Sequence, residues 1–371
     1  MNSSTTNTKT CDPILGIVIG ALIIIGIVMV YSSSAVYALE EYKDPYYFLK
    51  RQVLWVIIGF VALRCTRNID YRLLEKYAYP ILLLAFLLLL AVMIPGMGKE
   101  VGGARRWLSI GGFNFQPSEI AKITLVIFIA KSLVKRSDQL KNFAYGYLPN
   151  IIVLGFFFIP ILFQPDFGTA MIIGIVAISM LFIAGIRTKF LVYSVLAVIP
   201  LLVSAVTGAE YRMRRILAFL DPWQDPSDSG FQAIQSFYAF GRGGIWGVGL
   251  GDGSQKLFYL PEAHTDFIFS VIGEELGFVG AMAIVALFCI FIWRGFSVAL
   301  NAKDAFGTNV AIGLTLLIGI QAFTNMGVAI GLLPTKGLTL PFISMGGSSL
   351  VAVMIASGVL LNISERPVVK R

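Results

Sequence analysis

The feature that most constrains this chain is a series of apolar runs, each about 20 residues long, recurring from Pro13 to Asn362. A helix of about 20 apolar residues crosses a hydrocarbon core about 30 Å thick, and there every backbone N–H and C=O must find its partner within the protein. The runs fall near 13–33, 46–64, 77–96, 118–134, 147–164, 167–186, 190–208, 266–293, 305–333 and 339–362. They predict an all-α polytopic membrane bundle of about ten transmembrane helices, read as a single membrane domain over 1–371 with one large extracytoplasmic loop at 208–265. The second and fourth runs are the least apolar, holding Lys50 and Arg51, and Lys122 and Lys131. Composition agrees: 13% of the residues are charged and the mean hydropathy is +0.81, against about 25% charged residues in soluble domains. The first run is uncharged from Pro13 to Leu39. That is too long for a cleaved signal, so a retained span is expected.

The basic residues orient the bundle. With the N-terminus inside, the cytoplasmic segments hold sixteen Lys and Arg, and the short outer loops seven. That asymmetry favours both termini on the cytoplasmic side. The net charge of +8 is therefore a topology and lipid-headgroup signal, and no nucleic-acid partner is expected. Three cysteines make no disulfide framework, and the single histidine, His264, excludes a multi-histidine metal site. No metal site built from protein ligands is expected.

The long outer segment opens with Ala209–Leu220, an amphipathic helix pattern carrying Arg212, Arg214 and Arg215 and stopped by Pro222. A glycine-dense stretch, Gly241–Gly253, follows. It lacks the spacing of a phosphate-binding loop. Two readings stand: a tight loop folded over the bundle, or a backbone cradle for an anionic headgroup.

Polar residues gather on the outer half. Arg105 and Arg106 adjoin Trp107, as interfacial anchors or as ligands for an anion. Ser118 fits an N-cap for the fourth span, where Glu119 and Lys122 share a helical face as an ion pair or as the wall of a polar cavity. Glu262, His264 and Asp266 stand just before the eighth run, which Thr265 or Asp266 could simply cap. Glu274 and Glu275, deeper in that run, are expected to pair with basic groups on neighbouring helices. Gln164-Pro-Asp166 reads as a turn. Between the ninth and tenth runs, Leu333–Ser349 holds two prolines, three glycines and Lys336. Such backbone is tolerated at membrane depth only where protein or a cavity surrounds it. Arg105, Arg106, Glu119, Lys122, the arginine helix, Asp266 and Lys336 together point to a cation-rich cavity open to the outer leaflet with one or two carboxylates.

At these residues the chain resembles a known family. Arg105-Arg-Trp-Leu108, Gln116-Pro-Ser-Glu-Ile-Ala-Lys122, Gln164-Pro-Asp-Phe-Gly-Thr-Ala170, Pro261-Glu-Ala-His-Thr-Asp-Phe-Ile-Phe269 with Gly273-Glu-Glu-Leu-Gly277, and Pro334-Thr-Lys-Gly-Leu-Thr-Leu-Pro-Phe-Ile-Ser344 are similar to the motifs of the SEDS family (shape, elongation, division and sporulation), in family order. The last motif looks more like the division members than the elongation members, and a sporulation paralogue would look much the same. Met345 departs from the tyrosine usual in the family.

The resemblance implies a peptidoglycan glycosyltransferase of the bacterial cytoplasmic membrane, placed at the division septum. Its substrate would be lipid II, a disaccharide-pentapeptide on undecaprenyl diphosphate. The family's essential carboxylate falls on Asp266, and its polar pair on Glu119 and Lys122. Converting an α-linked diphosphate sugar into a β-linkage takes one inversion, for which a single general base suffices. Asp266 would take the acceptor hydroxyl's proton, with Lys122, Glu119, Arg105, Arg106, Lys336, His264 and Glu262 as substrate-binding residues. A divalent cation (Mg²⁺ or Mn²⁺) could be held with the substrate diphosphate. A class B penicillin-binding transpeptidase and other division proteins are the implied partners. The competing readings are a lipid II flippase and a non-catalytic division scaffold.

Overall fold

The computed structural model describes residues 11–365, apart from 102–103, 111–112, 209, 227–229 and 257–262. Asp12 caps α1 (Pro13–Tyr42), accepting from the Leu15 N–H at 3.1 Å, with Pro13 at the first helical position. There follow α2 (Tyr47–Asn68), α3 (Arg72–Ala91), α4 (Pro117–Lys135), α5 (Leu148–Phe163), α6 (Phe167–Ile183) and α7 (Thr188–Thr207). Next come α8 (Glu210–Leu220), α9 (Phe231–Gly243), α10 (Ile268–Glu275), α11 (Gly277–Leu300), α12 (Ala305–Ala329) and α13 (Gly347–Ser364). Counting α10 and α11 as one broken crossing, these make ten passes, with α8 and α9 outside them.

Six of the passes are long and apolar enough by themselves to cross a bilayer: α1, α3, α5 with its preceding turn, α11, α12 and α13. The other four have physical reasons to fall short. The apolar parts of α6 and α7 are brief, and α2 and α4 carry charge. The charges of α4 are tolerable because protein surrounds it: it packs against α3, α12, α6, α13 and α5, and nearly all its side chains are buried. The most extensive helix pair is α13 against α2, where glycines bring the backbones close. A Cβ on Gly59 would meet Met354, and one on Gly358 would meet Thr66. Apolar side chains left exposed on α2, α3, α5, α7 and α11 face outward, as helices in lipid require.

Both described ends of the chain lie at one end of the bundle, tied by polar contacts. Arg294 pairs with Asp12 at 2.5 Å, the Arg67 Nε donates to Glu365, and the Tyr71 hydroxyl donates to Asp304 at 2.6 Å. The opposite, distal end carries the long connections.

Three sequence expectations are corrected there. The stretch read as an outer loop before the fourth span forms an antiparallel sheet of β1 (Gly98–Val101), β2 (Ala104–Ile110) and β3 (Phe113–Phe115), with Lys99 opposite Trp107 and Leu108 opposite Phe115. Two-residue connections join the strands, and each is a Gly-Gly pair in the sequence, a hairpin signal that the helical periodicity of the flanking runs obscures. The fold remains the expected helical bundle, with this small sheet in one outer connection. Next, α4 starts at Pro117 with Gln116 in the cap position, so Ser118 is inside the helix. Finally, the eighth run is broken between Glu275 and Gly277, where Gly277 takes φ +67.

The glycine-dense stretch fills that break. The N–H groups of Val248 and Gly249 donate to the carbonyls of Glu274 and Glu275 at 3.0 Å. Phe278 and Val279 donate to the carbonyls of Gly244 and Ile245 at 2.9 and 3.1 Å. Helix-terminal groups that would otherwise be orphaned are thereby paired. Contact is so close that a Cβ on Gly247 (φ +82) would lie 2.2 Å from the Glu275 carbonyl oxygen. Of the two readings of this stretch, the structure realises the tight loop.

Candidate active site in the distal end of the bundle

Glu119 and Lys122 occupy the first turns of α4 and face one another, with Lys122 Nζ 2.9 Å from the Glu119 carboxylate and both side chains buried. The i, i+3 spacing makes the pair geometrically inevitable once the helix forms. Lys122 also donates to Gln321 Oε1 on α12 at 2.7 Å. Gln321 Nε2 donates onward to the Thr339 carbonyl at 3.1 Å, and the Thr339 hydroxyl lies 2.8 Å from that of Ser349. One polar chain thus joins α4, α12 and the connection before α13.

That connection runs without helix from Gly331 to Gly346, although the apolar runs extend helix into it from both sides. Its prolines and glycines end the helices early, and specific bonds then hold it. Asn325 Nδ2 donates to the carbonyls of Asp266 and Leu338 at 2.8 and 2.5 Å. The Ser344 hydroxyl donates to the Thr265 carbonyl at 2.5 Å, and the Met345 N–H to the His264 carbonyl at 3.0 Å. The segment bearing Asp266 is therefore stitched to this strap. A Cβ on Gly337 would lie 3.0 Å from Asp266 Oδ2, so the strap passes Asp266 where a side chain would crowd the carboxylate. The cap position of α10 is Phe267, with no side-chain cap bond. The capping role that Thr265 or Asp266 could have played is not taken up.

A cavity of about 260 Å³ opens here, lined by Asp266, Glu119, Arg106, Asp166, Gln321 and Thr339 among others, including Met345. A second, of about 120 Å³, adjoins it and is lined by Lys336, Arg215, Arg106 and Asp166. Arg106 reaches this position by bracing the hairpin on the turn before α6: its Nε donates to the Gln164 carbonyl at 2.9 Å and its Nη2 to the Pro165 carbonyl at 2.5 Å. Asp166 caps α6, accepting from the Thr169 N–H, and also accepts from Gln116 Nε2, both at 3.2 Å. Lys336, in the strap outside the helices, lies 4.2 Å above the Phe167 ring. Burial pushes its ammonium down to about 8, with Asp166 opposing the shift and Arg215 adding to it. One turn below Lys122, Gly313 of α12 lies directly against Val126 and Met180.

Of the residues singled out in the sequence, Asp266, Glu119 and Arg106 line one cavity, Lys122 supports Glu119 from behind, and Lys336 lines the adjoining cavity. The others lie elsewhere. Arg105 is exposed on the hairpin, 3.2 Å from its cross-strand partner Glu100. The His264 ring packs among aromatics, 4.6 Å from Phe48 and 6.1 Å from Tyr37 between centroids. Glu262 lies outside the described residues. Asp166 lines both cavities although the sequence shows it only as a turn residue, and Arg215, from the arginine helix expected to contribute to the cavity, lines the smaller one. Gln321 and Asn325 went unremarked in the sequence, though two amides at i, i+4 in an apolar run share a face and must find partners. Glu274 and Glu275 are paired, as expected, but by the distal segment rather than by neighbouring spans: Lys256 meets Glu275 at 2.5 Å, and Arg242 approaches Glu274 at 3.9 Å. Among the described residues, no three His, Cys, Asp or Glu side chains gather closely enough to hold a metal ion.

Comparison with known proteins agrees with the motifs. The profile of the family described as "cell cycle protein" (FtsW, RodA, SpoVE) matches residues 13–367. The probable peptidoglycan glycosyltransferase FtsW of Geobacter sulfurreducens (strain DL-1 / KN400) is 51% identical over 93% of this chain and 93% of its own. Stage V sporulation protein E of Bacillus subtilis (strain 168) is 43% identical over 97% and 99%. Among solved structures, a chain from work titled "Structural coordination of polymerization and crosslinking by a peptidoglycan synthase complex" superposes with TM-score 0.79 at 31% identity, over 96% of this chain and 98% of that one. Thermus thermophilus rod shape determining protein RodA superposes with TM-score 0.72 at 26% identity, over 96% and 98%. Motifs, profile and fold lead to one conclusion: this integral membrane chain belongs to the FtsW/RodA/SpoVE family of cell cycle proteins, the SEDS family.

Proposed function

We propose that the protein is a peptidoglycan glycosyltransferase that polymerises lipid II at the outer face of the bacterial cytoplasmic membrane, in septal wall synthesis. The observation that carries this reading is the placement of Asp266, with Glu119 beside it, in a cavity bounded by Arg106 at the distal end of the bundle. Relatives named as FtsW peptidoglycan glycosyltransferases support the activity. Asp266 takes the proton of the acceptor hydroxyl as its oxygen attacks the anomeric carbon, and the diphosphate leaves with the bonding electrons. Cationic side chains stabilise that charge, in a part-enclosed site where such stabilisation exceeds its value in water. The Lys122–Gln321–Thr339 chain keeps Glu119 and the strap fixed while substrate enters. Among the described residues no three acidic groups gather to hold an ion, so any divalent cation would be carried chiefly by the substrate's diphosphate, with Asp266, Glu119 and Asp166 the acidic groups that line the cavity.

A flippase would move the headgroup between leaflets without forming a glycan. The deciding experiment is polymerisation of lipid II by purified protein, with its partner, in detergent, where no leaflets exist. Glycan strands are the expected product, and their absence from active-site-intact protein refutes the reading.

The partner we infer is a class B penicillin-binding transpeptidase, alongside other division proteins. A structural relative comes from a peptidoglycan synthase complex coupling polymerisation to crosslinking. The termini are assigned to the cytoplasm from the charge asymmetry.

A further inference from the structure

The two adjoining cavities differ in charge. The larger holds Asp266 and Glu119, and the smaller is lined by Arg106, Arg215 and Lys336 against one carboxylate, Asp166. Asp166 is already engaged by the Thr169 N–H and the Gln116 amide. The smaller cavity therefore carries three cations against one carboxylate, which offsets them only in part. Clustered like charges in a part-buried site repel unless enough anionic charge joins them.

The three cations arrive from separate elements: Arg106 from β2, Arg215 from α8 and Lys336 from the strap. The Arg215 guanidinium, the side of Arg106 not donating to the Gln164 and Pro165 carbonyls, and the Lys336 ammonium match an anion with oxygens on two phosphorus atoms better than a single carboxylate. Close to Arg215, α8 also exposes Leu217 and Leu220, apolar surface suited to a lipid tail.

We propose that the smaller cavity binds the diphosphate of the lipid-linked glycosyl donor, with Arg215 as a ligand beside Arg106 and Lys336, while the Asp266 cavity receives the acceptor hydroxyl. This inference rests on the glycosyltransferase reading above. The anomeric carbon then sits at the shared wall, formed by Arg106, Asp166 and Gly337. There the acceptor oxygen bonds to that carbon as the bond from carbon to diphosphate oxygen breaks. The electron pair leaves on the diphosphate, facing the cations, and the hydroxyl proton passes to Asp266. Glycine at 337 leaves the wall without a side chain beside the Asp266 carboxylate.

The test uses full-length protein carrying Asp266→Asn, purified in detergent and titrated calorimetrically with undecaprenyl diphosphate. Arg215→Gln and Lys336→Gln on that background should each weaken binding by about tenfold or more, as loss of a charge-assisted contact requires. Arg215→Lys should recover part of the affinity, and unchanged thermal melting excludes misfolding. Affinities within about twofold of the background in both variants overturn the proposal, as does equal displacement by phosphatidylglycerol, which would mark a phospholipid headgroup site. Failure of the glycosyltransferase reading shows separately, as wild-type protein that makes no glycan from lipid II.

Discussion

At the scale of single residues, Asp266 separates chemistry from architecture. Asparagine keeps its size and much of its hydrogen-bonding capacity, and α10 draws no side-chain cap from it. Asp266→Asn should therefore leave expression and melting near wild type. As a general base it should lose about 10²–10⁴ in polymerisation rate, because an amide does not accept the hydroxyl proton. Purified Asp266→Asn that retains a tenth of the wild-type rate or more would remove the assignment; Glu262→Gln, four residues earlier, should cost far less. A second residue-scale outcome concerns pH. Lys336 is held at about 8 by burial and Arg215, with Asp166 opposing, and Arg106 also lines its cavity. The charged form dominates below that value and is lost above it, so kcat/KM for lipid II should fall as pH rises through about 8. Lys336→Arg, charged throughout, should move that alkaline limb upward. An unmoved limb would show that another group sets it. Asp266, Glu119 and Lys336 were legible in the sequence because charge inside or beside an apolar run is costly and must be used. Gln321 and Asn325 were not, since a neutral amide leaves hydropathy almost unchanged and only the fold reveals its partners. His264 erred the other way: proximity to Asp266 in sequence did not carry its ring into the cavity.

At the scale of elements, the joint between α10 and α11 breaks one crossing and depends on glycine. Its carbonyls and N–H groups are satisfied by residues 244–249, and its carboxylates by Lys256, Ser32 and the backbone N–H groups of Ser254 and Gln255. Gly247→Val should destabilise the protein by at least about 1–3 kcal/mol from the positive φ alone, with the clash against the Glu275 carbonyl added. Lys256→Met leaves the buried Glu275 without its counter-ion and should cost about 3–5 kcal/mol, whereas Lys256→Met with Glu275→Gln should recover much of that. Thermal melting in detergent checks both. A double variant no more stable than the single one would show that the ion pair is not what anchors the segment. Helices of the bundle were readable because lipid imposes a length and an apolar composition on each pass. The hairpin and the helix break were not, because a hydropathy window averages over the turns and glycines that set them. Nothing in the run 266–293 marks Gly277 as a break rather than an ordinary glycine of a packed helix.

At the scale of the whole molecule, ten passes with both described ends at one end of the bundle agree with an even number of spans. The proposed cytoplasmic placement of that end rests on the charge asymmetry. An alkaline phosphatase fusion at Gly230 should be active and one at Gln139 inactive; the reverse pattern overturns the orientation. Partner docking can then be confined to part of the surface. Of the small residues on the eighth span, Gly277 and Ala281 are buried within the chain's own fold, Gly280 is half-buried and Ala283 is exposed. Around Ala283, α11 presents Phe278, Val279 and Met282 outward. An apolar hollow of about 280 Å³ lies between α11 and α12, lined by Ile292, Gly319 and Phe323 among others. Helices in lipid associate by close packing rather than by a hydrophobic drive, so a hollow beside small residues is where a single-span partner gains most contact. Ala283→Trp places bulk on this exposed face without entering the core and should sharply reduce co-purification of the transpeptidase, leaving melting unchanged. Phe156→Trp, on the exposed side of α5, is the control and should leave the complex intact. Capture undiminished by Ala283→Trp would move the docking site off the α11–α12 face.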